Sequence, residues 1–110
     1  MRRSFFTPLS PWAIEIIKRG AVEFKVYDEW YDGYAYKVSY SNGYVASIVK
    51  FTGSYGNADN LWEIAVMKDG DIRYDTEITD DVLGYLDESG VMNACWEIAA
   101  LDEHGRIAYW

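Results

Sequence analysis

Strict alternation of apolar and polar residues, interrupted by short turn signals, constrains this chain more than any other feature. Ala21 to Asp28 sets Val22, Phe24 and Val26 on one side and Glu23, Lys25 and Tyr27 on the other, the period-2 pattern of a half-buried strand. Asp28-Glu29-Trp30-Tyr31-Asp32-Gly33 reads as a turn. Tyr34 to Tyr40 alternates again, with Tyr34, Tyr36, Val38 and Tyr40 opposite Ala35, Lys37 and Ser39. Asn42-Gly43 then predicts a type I′ hairpin, whose two central residues both need positive φ, and a third strand follows over Tyr44 to Phe51. Beyond a loop of small residues, Leu61 to Lys68 predicts a fourth strand, Asp69-Gly70 a second hairpin turn and Asp71 to Asp75 a short fifth strand. Strands joined this tightly form an antiparallel meander.

Helix signals flank the strands. Ser10-Pro11 supplies an N-cap and a proline at the first helical position, and Lys18-Arg19-Gly20 supplies a basic last turn and a stop. Thr79 ahead of Asp80-Asp81 predicts a second helix, capped by a hydroxyl and opened by acids that suit its dipole, and ended by Gly90. Val91, Ala94, Cys95, Ile98 and Leu101 recur at helical spacing and predict a third helix from about Val91 to Asp102, stopped at Gly105. Arg106 to Trp110 reads as a docked tail or edge strand. The expected class is α+β: a four- or five-stranded antiparallel meander with an N-terminal helix and two C-terminal helices packed on one face, in a single domain over residues 1–110.

Charge narrows the partners. The chain carries a net charge of −8, which opposes direct binding to nucleic acid or to an anionic membrane and favours a basic partner. From Asp69 to Glu88, eight acids stand against Arg73 alone, so most of the net charge is local. An aromatic content of 17 % places that charge on a folded body rather than a disordered acidic tail. Cys95 is the single cysteine, which rules out an intramolecular disulfide and favours a reducing compartment. Met1 to Pro8 lacks the apolar run of a signal peptide and no window suits a membrane span, so the expected location is the cytoplasm.

Asp69, Asp71, Asp75 and Glu77 are spaced so that, on a strand, their carboxylates would project to one side, with about 6.7 Å between two-residue neighbours. That is broadly the spacing of phosphates along a nucleic-acid strand, so the row suits a groove lined with Lys and Arg. The alternative is a solvated edge that discourages aggregation. Asp69, Asp71 and Asp75 are also oxygen donors beside a glycine, but the twelfth position counted from Asp69 is Asp80 where a calcium loop needs glutamate. No metal or cofactor is expected. Trp30, Tyr31 and the adjoining Asp32 form the second candidate contact, within an aromatic run that includes Tyr34, Tyr36, Tyr40 and Tyr44. His104 reads as a helix-end histidine beside Asp102 and Glu103. Without a nucleophile motif, phosphate loop or metal-ligand spacing, the sequence does not suggest an enzyme.

Tyr74-Asp75-Thr76-Glu77-Ile78-Thr79-Asp80-Asp81-Val82-Leu83-Gly84-Tyr85-Leu86 is similar to a segment of small phage-type proteins, a likeness covering about the second half of the chain. In size, acidity and lack of catalytic motifs the whole chain resembles the anti-CRISPR proteins of phages. The resemblance implies a compact inhibitor that binds a basic surface of a nucleic-acid-handling complex, a CRISPR effector among them, and blocks DNA binding or nuclease recruitment. It transfers no residue role. The other functions open to such a sequence are a small ligand-binding module with an aromatic platform and a phage structural or assembly protein.

Overall fold

The computed structural model describes residues 6–108, and residues 28–30 by their backbone alone. The elements are α1 (Pro11–Ile17), β1 (Ala21–Trp30), β2 (Gly33–Tyr40), β3 (Tyr44–Lys50), a 3₁₀ turn (Asn57–Asp59), β4 (Trp62–Lys68), β5 (Asp71–Ile72), β6 (Leu83–Leu86) and α2 (Glu88–Ala99). Every pairing is antiparallel. β1 to β4 lie side by side in chain order, and β5 and β6 share the outer edge of β4, completing a six-stranded sheet.

The alternation fixes which face is covered. Tyr36, Val38, Tyr40, Tyr44, Ala46, Ile48, Trp62, Ile64 and Val66 are buried with Ala13 and Ile17 of α1 and Val91, Ala94, Cys95 and Ile98 of α2, so both helices lie on one face. Among the described residues no helix covers the opposite face. In register across it lie Glu23, Ser39, Val45 and Met67, then Lys25, Lys37, Ser47 and Ala65.

Ser10 begins α1 as its type predicts: its hydroxyl accepts a hydrogen bond from the Ala13 amide at 3.2 Å, with Pro11 at the first position. Glu88 of α2 adds a second clamp, accepting from Ser10 N at 2.6 Å and Ser10 Oγ at 3.0 Å. These bonds tie the N-terminal ends of the two helices together.

Three expectations are corrected. First, the C-terminal half contains one helix, not two. The Thr79 hydroxyl accepts from Asp81 N, as an N-cap would from the second helical residue, but no helix follows it. Leu83 and Leu86 instead pair with Ile64 and Trp62 on the open edge of β4. The true N-cap is Asp87, which accepts from Gly90 N at 2.8 Å, so Gly90 opens α2 rather than ending a helix. α2 stops at Ala99; Leu101 and Gly105 lie beyond it, the latter left-handed at φ 75° in the following turn.

Second, β5 is shorter than the predicted Asp71 to Asp75 strand and spans Asp71–Ile72 alone. Third, the Asn42-Gly43 turn is not type I′, because Gly43 is left-handed at φ 90° and Asn42 is not. Asn42 has a different task. Its Nδ2 donates to Ile98 O at 2.9 Å, Ala99 O at 3.2 Å and Leu101 O at 3.0 Å, gathering carbonyls at and just beyond the end of α2. The type I′ signature falls at Asp69 and Gly70, with φ 55° and 84°, inside the Lys68–Asp71 pair.

The C-terminal segment makes an isolated bridge between Leu101 and Ile107. Tyr109 and Trp110 of the predicted tail, like Met1 to Phe5, lie outside the described residues. Among the described residues no helix is long and apolar enough to cross a membrane.

Candidate acidic interface

The acidic segment borders the sheet. Asp71 and Ile72 pair with Lys68 and Met67 at one end of β4, and Leu83 and Leu86 pair with Ile64 and Trp62 toward the other. Residues 71–73 and 83–86 therefore lie on that edge, and residues 74–82 connect them. Asp71 and Leu83 are anchored four β4 residues apart, about 14 Å along the strand. Asp69, Asp71, Asp75, Glu77, Asp80 and Asp81 are all exposed.

The predicted one-sided row of four is not formed. Asp69 occupies a left-handed turn position at φ 55°, so its side chain leaves the alternation. Asp75 is bound by Arg73, whose Nε lies 3.2 Å from Oδ1. That hydrogen bond, with the guanidinium charge, holds the Asp75 carboxyl below its ordinary range. Glu77 serves the fold: its Oε1 accepts from Ile107 N at 2.7 Å while its own N donates to Gly105 O at 2.8 Å. The other exposed carboxylates are Asp69 and Asp71 beside β5 and Asp80 and Asp81 in the connection that leads into β6. Asp80 and Asp81, expected to open a helix, are instead exposed in a non-helical connection.

The second predicted contact lies at the other end of the sheet. Tyr31, left-handed at φ 55°, stacks on Phe51 with ring centroids 5.3 Å apart. Asp32 accepts from Thr52 N at 2.8 Å and also from the Thr52 hydroxyl. These residues fasten the β1–β2 turn to the end of β3. The side chain of Trp30 lies outside the described residues. Asp69 and Asp71 adjoin the start of β3, so roughly 20 Å of strand separates the two groups, and they do not converge on one site. The aromatic run splits as well, since Tyr36, Tyr40 and Tyr44 are buried in the core.

No family model, curated protein or solved structure matches the chain.

Two buried polar groups were not legible as such. Lys50 is 2 % exposed, and its Nζ donates to Asn60 Oδ1 at 2.6 Å and Thr7 O at 3.0 Å while lying 4.2 Å from the Trp62 ring centroid. Burial lowers its ammonium to about 8, an effect that Glu88 opposes. The signal was the alternation itself, which puts Lys50 on the same side as Tyr44, Ala46 and Ile48.

Cys95 lies in α2 beneath a groove of about 380 Å³ lined by Ile16, Arg19, Tyr40, Met92, Trp96 and Ala99. Burial pushes its thiol up to about 12, with a hydrogen bond to Tyr40 acting the other way. Only the thiolate reacts readily. Native protein at mildly alkaline pH is therefore expected to resist alkylation by iodoacetamide, and denatured protein to react fully, as read by intact mass. Rapid labelling of native protein would show that the thiol is not sealed. The linkage has one sign: the unfolded thiol ionises first, so this group's stabilising contribution declines as pH rises from about 9 towards 12.

Proposed function

We propose that this protein is a stoichiometric inhibitor of the anti-CRISPR type. It sets the acidic edge beside β4 against a basic, nucleic-acid-binding surface of a CRISPR effector complex and excludes DNA or a nuclease. The observation that supports this reading is the placing of Asp69, Asp71, Asp80 and Asp81 on segments that β5 and β6 hold to a rigid sheet. Carboxylates fixed in this way meet Lys and Arg with little ordering on binding, and complementary potentials speed encounter and set register. The reading needs no catalytic group. Burial of Tyr36, Tyr40 and Tyr44 removes half the rings of the aromatic-platform alternative.

The test is titration of the protein into an effector with its target DNA. Asp71→Lys combined with Asp80→Lys reverses charge beside β5 and before β6, and neither carboxylate accepts a hydrogen bond among the described residues. The half-inhibitory concentration is expected to rise by more than about tenfold, equivalent to about 1.4 kcal/mol, with the melting temperature unchanged. Association should also slow as salt shortens the screening length. Equal inhibition by wild type and the double reversal at one ionic strength would remove the acidic edge from the interface.

A further inference from the structure

The other border of the sheet has no strand beside it: β1 is the terminal strand, and among the described residues nothing pairs with its outer side. Its pairing with β2 is regular from Glu23 to Tyr27 and shifts at both ends, between Ala21 and Glu23 and between Tyr27 and Trp30. A straight five-residue edge is left between two irregular ends. Val26 within it is 49 % exposed and Val22 at its border, in the Ala21–Glu23 shift, 68 %, an apolar content unusual for an unpartnered edge.

We propose that this edge pairs with the same edge of a second copy, antiparallel about a two-fold axis at Phe24. The charges select the register. Centring the pair on Glu23 sets carboxylate against carboxylate, and centring it on Lys25 sets ammonium against ammonium. Centring it on Phe24 sets Glu23 opposite the partner's Lys25 twice over, ring opposite ring at the axis, and Val26 opposite the partner's Val22.

The inner side of β1 supplies a second reason. Lys25 directly faces Lys37 of β2, and like charges opposite one another in a sheet are unfavourable. Among the described residues the opposite charge paired with Lys25 is Glu23, at 4.0 Å with both side chains more than half exposed. The partner's Glu23 sets a carboxylate on the outer side of Lys25 at cross-strand distance. Phe24 already stacks on Tyr36 at 6.1 Å between centroids, and the axis extends that stack into the second copy. An isologous contact of this kind closes at two copies, because β5 and β6 occupy the opposite border. The pairing is independent of the inhibitor reading, and it leaves the acidic edges at the two far ends of the dimer.

A five-residue edge buries less than a standard interface, so a weak dimer in the micromolar range or above is expected. Sedimentation velocity from the low micromolar to the millimolar range should show wild type passing from monomer to dimer. Lys25→Glu should weaken the dimer by at least about tenfold, since it sets two carboxylate pairs across the axis. The double swap Glu23→Lys with Lys25→Glu exchanges the charges and should restore it. Both side chains are exposed and Lys25→Glu relieves the pair with Lys37, so circular dichroism melts should show each variant folded and no less stable than wild type. A wild type that stays monomeric throughout would overturn the proposal. So would a Lys25→Glu variant that dimerises as well as wild type, or a folded double swap that stays monomeric.

Discussion

Gly33→Ala is expected to lower the melting temperature by roughly 10 °C or more, from a loss of about 3 kcal/mol or more. A Cβ at Gly33 would stand 1.8 Å from Lys50 O, 2.8 Å from Lys50 C and 3.0 Å from Phe51 Cα. All three are backbone atoms, so no rotamer change relieves the overlap. The start of β2 must part from the end of β3, and that junction holds the Tyr31–Phe51 stack, the Asp32–Thr52 bonds and the buried Lys50. Gly43→Ala is the control. Gly43 is left-handed at φ 90°, but its nearest neighbour would be the flexible Lys68 Cε at 3.6 Å, so the substitution meets a backbone penalty of about 1 kcal/mol and no wall. A Gly33→Ala protein that melts with the Gly43→Ala protein would mean that the two strands do not approach so closely.

The same junction shows what local sequence can and cannot express. β1 to β4 were legible because each strand has one buried and one open face, which writes its period directly into the chain. Gly33 read only as the end of a turn, since the carbonyl it must clear belongs to residue 50. Val82 to Leu86 read as helix for a related reason. A short apolar run has no decisive period, and its conformation was set by the free edge of β4, some twenty residues upstream. Gly84 records the outcome: a Cβ there would come within 2.7 Å of Tyr55 Cβ, a closeness that suits a strand pressed against a loop.

The acidic residues divide in the same way. Asp69 and Asp71 were legible as surface, because an Asp-Gly turn at a sheet edge has nowhere else to face. Asp75 and Glu77 looked equivalent to them but are engaged by Arg73 and by the backbone of Ile107. One of those partners is two residues away and was visible in principle; the other is thirty residues away and was not.

Asn60→Gly should produce the second large effect, a loss of about 2 to 4 kcal/mol, through the charge it leaves behind. Asn60 is left-handed at φ 59°, a conformation glycine adopts freely, so the substitution removes the side chain without straining the turn. Its Oδ1 accepts from Lys50 Nζ at 2.6 Å, Thr7 Oγ1 at 3.1 Å and Thr7 N at 3.2 Å. With it gone, a buried ammonium retains Thr7 O and the Trp62 ring but loses its shortest hydrogen bond. Lys50→Met should then be near neutral or stabilising, because a methionine fills the volume with no charge to desolvate. In the Lys50→Met background, Asn60→Gly leaves no buried charge behind and should cost about 1 kcal/mol, so the cycle yields a coupling energy between the two residues. The pH dependence separates a buried charge from simple packing. Below about 8 the folded and unfolded lysines are both protonated, and the full desolvation penalty applies. Between about 8 and 10.5 the folded lysine has lost its proton while the unfolded one keeps it, so the penalty is relieved as pH rises. Any advantage of Lys50→Met over wild type in denaturant melts should therefore be greatest at neutral pH and shrink across that window. A gap that stays constant with pH, together with additive effects in the cycle, would show that Lys50 is not held as a buried cation dependent on Asn60.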